Sequence, residues 1–339
     1  MSEKKYELTE ETISFQGRTL HRIRALVDIE SAGVSPGDLG GYVETEFNLD
    51  QSGNAWIFGN ASVFDNAKVF DNAKVFDNAK VFDNAFVFGN AKVFDNAQVF
   101  GNAKVSREAK VYGYAEVYGD ALVSGRAEVY GDARVFGDAG VSWDAKVFDN
   151  AEVYDNAFVL GDAKVFDNAQ VFGNAKVSRE AKVYGYAEVY GDALVFGDAE
   201  VYGDARVFGD AKVSREAKVY GYAEVYGDAL VFGDAEVYGD ARVFGDAKVF
   251  GNAKVSCDAR ISGKTDYFFV GPVGSECGVL TIFRTENGVS VNRGCFSGTL
   301  SEFEDAVRRK HGSNRYGDEY RLLIKLARLR EKEWLKEGE

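Results

Sequence analysis

The sequence predicts an all-β fold: a three-sided parallel β-helix of six-residue repeats with 18 residues per coil. A β-rich N-terminal cap precedes it and a small α+β domain follows. Three observations carry this. Alanine falls at every sixth position from Ala55 to Ala259, and Val or Ile at every sixth from Ile57 to Ile261. The 210 residues from Gly53 to Ser262 keep that period through 35 hexads, with no insertion, no Pro and no Thr. An 18-residue cassette, Ser-Arg-Glu-Ala-Lys-Val-Tyr-Gly-Tyr-Ala-Glu-Val-Tyr-Gly-Asp-Ala-Leu-Val, begins at Ser106, Ser178 and Ser214, offsets of 72 and 36 residues.

Each hexad reads Gly/Asp, Asn/Asp, Ala, x, Val, Phe/Tyr. In Ala-x-Val the outer two side chains point one way and x the other, as in a short strand. Ala and Val therefore face in, and the mostly charged x faces out. Gly, Asp and Asn best tolerate left-handed backbone angles, so a tight bend follows each strand. Period six does not fit the 3.6-residue turn, and Gly recurs too often for a helix. Duplications that preserve the faces move whole coils, so offsets of 36 and 72 fit three hexads per coil. Nearly twelve coils then make a rod about 55 Å long.

Residues 18 apart become vertical neighbours. One outward column runs Glu116, Arg134, Glu152, Gln170, Glu188, Arg206, Glu224, Arg242, which reads as an ion-pair ladder on a solvated face. Two corner columns are nearly unbroken aromatics, starting Phe58, Phe76, Phe94 and Phe64, Phe82, Phe100, and read as stacked rings. The third corner differs: Phe70, Phe88, Ser106, Ser124, Ser142, Leu160, Ser178, Phe196, Ser214, Phe232, Phe250. On the same side, the outward strand position carries Phe86, Leu122, Phe158, Leu194 and Leu230, 36 residues apart, with Lys or Gly between. An outward stripe of Leu and Phe suggests an interface. With Trp143 on the adjoining bend, the candidate surface is Phe86, Ser106, Leu122, Ser124, Trp143, Phe158, Leu160, Ser178, Leu194, Phe196, Ser214, Leu230 and Phe232.

The ends break the hexad. In residues 1–52, Gln16-Gly17 sits between two strand-like runs and reads as a hairpin turn, and Ser35-Pro-Gly-Asp-Leu-Gly-Gly as a loop. A cap is expected because an open solenoid end offers unpaired strand edges. In residues 263–339, Tyr267–Val270, Val279–Arg284 and Val289–Val291 read as a three-strand meander, with Asn287-Gly288 as a turn. Thr299-Leu-Ser-Glu302 is a capping box opening a helix that ends near His311-Gly312. A second helix is expected from about Tyr316 to Leu335, with Tyr320, Leu323, Ile324, Ala327 and Leu329 as its apolar face.

The hexad array resembles the hexapeptide-repeat β-solenoids. Leu20-His-Arg-Ile-Arg-Ala-Leu-Val-Asp-Ile, Gly40-Gly-Tyr-Val-Glu and Asn48-Leu-Asp-Gln-Ser-Gly-Asn-Ala-Trp-Ile are similar to the N-terminal segment of a bacterial and prophage solenoid family typified by YdcK-like proteins. Gly294-Cys-Phe-Ser-Gly-Thr-Leu-Ser-Glu-Phe-Glu, with His311-Gly-Ser-Asn and Glu319-Tyr-Arg, resembles a small domain of phage-encoded proteins from Gram-positive hosts. The resemblance implies architecture and origin, with a left-handed coil, and no particular chemistry.

The formal net charge is −14, split as −5 for residues 1–52, −10 for the hexads and +1 for the C-terminal segment. Acidity disfavours direct nucleic-acid binding through phosphates. An acidic mimic that decoys a host defence protein remains an alternative, but one net charge per roughly 5–6 Å is sparse beside DNA's one per ~1.7 Å. The best-known hexapeptide solenoids are acyltransferases. They need a general base, normally His, and a loop extruded from the coils; the hexads here contain neither. His21 and His311 are the only histidines, and His311 reads as a favourable charge at a helix end. Gly271-Pro-Val-Gly274 lacks the Lys of a phosphate loop. Cys257, Cys277 and Cys295 have neither a disulfide framework nor a CxxC partner. Ser106-Arg107-Glu108 has no base to activate the serine. The Asp/Asn corners read as turns rather than calcium ligands. Ice binding is disfavoured because its Thr-x-Thr arrays are absent.

No enzyme activity, metal or cofactor is expected. The start shows no apolar signal core, and no segment approaches the ~20 apolar residues of a membrane span, so a cytoplasmic location is expected, that of the host cell if phage-encoded. The resulting expectation is a non-catalytic phage- or prophage-type binding or scaffold protein that presents its third side to a protein partner or to itself.

Overall fold

The computed structural model describes residues 4–286 and 288–334. It divides into two compact units, Met1–Glu180 and Ala181–Glu339. In both, hexads build parallel β-solenoid with 18-residue coils and three parallel sheets. Strands are as short as two residues, as at Lys68–Val69, and the inward Ala and Val side chains are fully buried. Coils stack at the expected offset: Val117 pairs with Val135, and the Glu116 and Tyr118 N–H groups donate to Ala133 and Val135 carbonyls, both at 3.0 Å. The three sides are identified here by their first rungs, Trp56–Ile57, Ser62–Val63 and Lys68–Val69.

The bends explain the corner composition. Their first residue has positive φ, as at Gly59 (58°), Asp65 (57°) and Asp71 (58°). Asp at that position adds an acceptor: Asp71 Oδ2 takes the Gly89 N–H one coil on at 3.1 Å, and Asp83 Oδ2 takes the Gly101 N–H at 3.1 Å. The following Asn residues form side-chain ladders, Asn54 to Asn72 at 2.9 Å and Asn72 to Asn90 at 3.2 Å. The Asp and Asn groups thus bind neighbouring coils to each other. Aromatic corners stack as expected, for example Tyr118 on Phe136 at 4.9 Å and 0°. Phe76 and Phe94 depart from this, meeting edge-on at 6.5 Å and 88°.

In the first unit, strands Tyr6–Phe15 and Arg18–Ala25 form the expected hairpin, with positive φ at both Gln16 and Gly17. Strand Leu39–Val43 runs antiparallel to the second of these and parallel to Ser62–Val63. Gly41 lets the cap approach: a Cβ there would lie 2.5 Å from the Ala61 carbonyl oxygen. Two buried polar side chains finish the solenoid's first edge. Asn48 Nδ2 donates to the Asp65 and Ala67 carbonyls, both at 3.0 Å, and Lys5 Nζ donates to the Ala55 carbonyl at 3.0 Å. A cap made of side chains meets the edge-strand problem that sequence reasoning raised.

In the second unit the hexads give way to an antiparallel sheet of Tyr267–Val273, Gly278–Thr285, Gly288–Arg293 and Phe296–Thr299. The expected meander had three strands, and Phe296–Thr299 adds a fourth that leads directly into the first helix. Asn287, half of the expected turn signal, lies outside the described residues. Helix α1 spans Leu300–His311 and opens with the expected reciprocal capping box between Thr299 and Glu302. Helix α2 spans Arg315–Trp334; the expected end at Leu335 lies outside the described residues. The two helices and the sheet share one core that includes Leu280, Ile282, Phe303, Val307, Tyr320 and Ile324. Leu329, expected on the apolar face, is 60% exposed, because it lies half a turn round the helix from Tyr320, whereas Ile324, Ala327 and Trp334 share the Tyr320 face. The sheet also covers the last coil: Thr281 Oγ1 accepts the Lys254 N–H at 3.0 Å, and Asn292 Nδ2 donates to the Lys254 carbonyl at 2.8 Å.

Candidate functional site

The third side is built like its siblings inside and unlike them outside. In the first unit its outward positions pair in the order Lys68, Phe86, Lys104, Leu122, Gly140, Phe158, Lys176. In the second unit Leu194, Lys212, Leu230 and Lys248 follow the same alternation. Large apolar side chains recur every second coil, a spacing of about 10 Å.

Exposure separates the candidates. Leu122 is 41% exposed, Phe158 37% and Trp143 70%. Phe86, Ser124, Leu160, Ser178, Leu194, Phe196, Leu230 and Phe232 are half-buried, whereas Ser106 and Ser214 are buried. Those two serines therefore offer little surface, although the sequence pattern placed them on the same corner. Part of the burial comes from the stripe packing on itself. Gly140 leaves room for Phe158, whose ring atom Cδ1 would stand 2.6 Å from a Cβ at that position. Phe86 meets Phe70 edge-on at 6.3 Å.

The adjoining bend holds a feature that the apolar pattern hid. Its first residue alternates between Gly and a large side chain: in the first unit Gly89, Arg107, Gly125, Trp143, Gly161, Arg179, and in the second Gly197, Arg215, Gly233. The large residues sit at φ 62°, 67°, 63° and 63° in chain order. Left-handed backbone costs a non-Gly residue roughly 1–2 kcal/mol, and Asp at comparable bends offsets this with a hydrogen bond to the next coil. Arg and Trp have no carboxylate to do so. Their 36-residue spacing in the sequence was the signal that could have revealed them. The third-side strands also lengthen to four residues, at Phe158–Gly161 and Lys176–Arg179 in the first unit and Leu194–Gly197, Lys212–Arg215 and Leu230–Gly233 in the second. The paired surface is correspondingly wider than on the other sides.

The other two sides are occupied by charge. On the second side Arg134 lies 3.7 Å from Glu116 and 3.5 Å from Glu152, and Arg242 lies 3.0 Å from Glu224, as the charge alternation implied. The first side carries a ladder that was missed: Lys110 and Lys146 hold Glu128 at 2.9 and 3.1 Å. Burial pushes the Glu128 carboxyl up, but bonds from both ammonium groups outweigh it and hold the pKa below the usual range. Burial also pushes the stacked Tyr112 up, to about 12, with Glu128 adding to the shift.

The remaining motifs fall into structural places. Gly271-Pro-Val lies within the first strand of the antiparallel sheet, not in a strand–helix turn. His311 is the last residue of α1, with its ring 5.6 Å from that of Tyr320. Cys257, Cys277 and Cys295 are free and exposed. Among the described residues no group of His, Cys, Asp and Glu has the arrangement of a metal site. No helix among them is long and apolar enough to cross a membrane. Compared with known proteins, the chain matches no family model and no curated protein.

Proposed function

We propose that this chain is a non-catalytic binding or scaffold protein that presents the third solenoid side to a protein partner or to a second copy of itself. The observation that carries it is the two-coil alternation of outward Leu and Phe with Lys and Gly, beside strained Arg and Trp bends. A merely solvated face needs neither feature, and non-glycine residues held at positive φ recur at working surfaces. Exposed Trp143 has the character of an interface anchor. A phage or prophage origin, a YdcK-like relationship and a host-cytoplasmic setting belong to the same reading and rest on the sequence resemblance.

The test is a triple variant, Leu122→Lys, Leu194→Lys and Leu230→Lys, compared with the full chain by sedimentation equilibrium and by pull-down from host extract. Burying one such leucine is worth roughly 1.5–3 kcal/mol, so the variant should lose self-association or its captured partner while the buried Ala/Val core keeps it folded. Glu188→Lys, on the ion-pair column, is the control and should change little. Unchanged stoichiometry and affinity in a folded triple variant would remove the third side from consideration. A partner whose capture collapses between low and moderate salt, independent of the three leucines, would favour the acidic-decoy alternative.

A further inference from the structure

The C-terminal domain contains a cavity of about 590 Å³ between the C-terminal half of α1, the turn around Cys295 and the loop at Ser275–Glu276. Its floor is apolar, formed by Phe296, Phe303 and Val307, and its rim is basic, formed by Arg293, Arg309 and Lys310. We infer that this cavity binds a small organic anion, a carboxylate or sulfonate on an aromatic or aliphatic body.

Arg293 is the centre of the inference. It is half-buried, and its orientation is fixed from two sides. Nε donates to the Tyr320 hydroxyl at 2.9 Å and Nη2 to the Val273 carbonyl at 2.8 Å. The guanidinium lies against Gly278, where a Cβ would stand 2.4 Å from Nη1. Nη1 has no hydrogen-bond partner among the described residues. A guanidinium held this way at an apolar cleft is prepared to bind an anion with little loss of side-chain freedom. Glu276, which pairs with Lys310 at 2.9 Å, also lines the cavity and attracts Arg293, so the site carries Arg293, Arg309 and Lys310 against one carboxylate and keeps a net positive charge. Basic residues at the end of α1 also complement the helix dipole. That role does not require an apolar floor or an Arg anchored from the facing sheet. Cavities of 300–1,000 Å³ with apolar walls and a few placed polar groups are the usual form of small-molecule sites.

Cys295 lines the same cavity and serves as the reporter. The full-length chain would be treated with iodoacetamide, with and without saturating 8-anilinonaphthalene-1-sulfonate, and alkylation followed residue by residue by mass spectrometry. Exposed Cys257, which does not line the cavity, is the internal reference. The expected result is at least a fivefold slowing at Cys295 with no change at Cys257. The neutral analogue N-phenyl-1-naphthylamine should protect at least tenfold more weakly in concentration. Arg293→Gln and, separately, the exposed-rim variant Arg309→Glu should each raise the concentration of sulfonate needed by tenfold or more. If Arg293→Gln loses its fold, Arg309→Glu alone decides the electrostatic part. Equal alkylation of Cys295 with and without the sulfonate, or equal protection by the neutral analogue, would overturn the inference.

Discussion

Asn292→Ala should open the last coil of the second unit without unfolding the solenoid as a whole. Asn292 and Ser256 are both buried, and Asn292 Nδ2 donates to the Lys254 carbonyl at 2.8 Å and lies 2.9 Å from Ser256 Oγ. With no further strand stacked on Lys254–Val255, this side chain stands in for the missing neighbour. Alanine removes about two hydrogen bonds worth roughly 1 kcal/mol each and leaves a buried carbonyl without a partner, for a total of about 2–4 kcal/mol. That corresponds to roughly 30- to 1,000-fold faster opening at the last coil. Native-state hydrogen exchange resolved by peptide would show faster exchange across residues 248–262. Peptides spanning residues 74–99 would stay unchanged, because repeat stability is a nearest-neighbour property. Asn292→Asp keeps the shape, loses the donor and should be at least as damaging, since its carboxylate faces the Lys254 carbonyl. Unchanged exchange at 248–262 in both variants, or an equal acceleration everywhere, would refute the capping role.

Three further outcomes follow from the same contacts. Gly41→Ala places a methyl group 2.5 Å from the Ala61 carbonyl and should cost on the order of 3 kcal/mol, read as a lowered midpoint in urea. Lys5 is 4% exposed, and burial lowers its pKa to about 8 despite the attraction of Asp50. Between about pH 8 and 10.5 the unfolded chain holds this proton and the folded one does not, so stability of the N-terminal cap should rise with pH by up to about 3 kcal/mol; Lys5→Met should flatten that rise in urea titrations. Tyr267 acts in the opposite sense: burial holds its pKa up to about 12, so its contribution is complete below pH 10 and lost between 10 and 12. Tyr267→Phe, which also gives up the hydroxyl's bond to the Lys248 carbonyl at 2.7 Å, should lower stability at neutral pH but flatten its fall between about pH 10 and 12 in urea titrations.

The solenoid was legible because every contact within it repeats at one sequence separation. Ala, Val and the outward residue between them meet their own counterparts 18 positions away, so composition at one position predicts its neighbours above and below. Stacked rings and the Glu116–Arg134–Glu152 ladder followed for the same reason. The N-terminal hairpin and the α1 capping box were legible because turns and caps are set by residues within four positions of each other. What closes the ends was not. Asn48, Lys5, Thr281 and Asn292 make their decisive bonds to partners 17 to 50 residues away that belong to no period. The third side was half legible. Its alternation is written in the sequence, but the exposure of Leu122 and Phe158 depends on how rings pack, as where Phe158 fills the space that Gly140 leaves. The cavity beside Arg293 lay beyond sequence reasoning altogether. Its lining comes from Ser275–Glu276, the turn at Arg293–Phe296, α1 and Tyr320 of α2, and only the docking of both helices on the antiparallel sheet brings one guanidinium, held by Tyr320, to an apolar cleft.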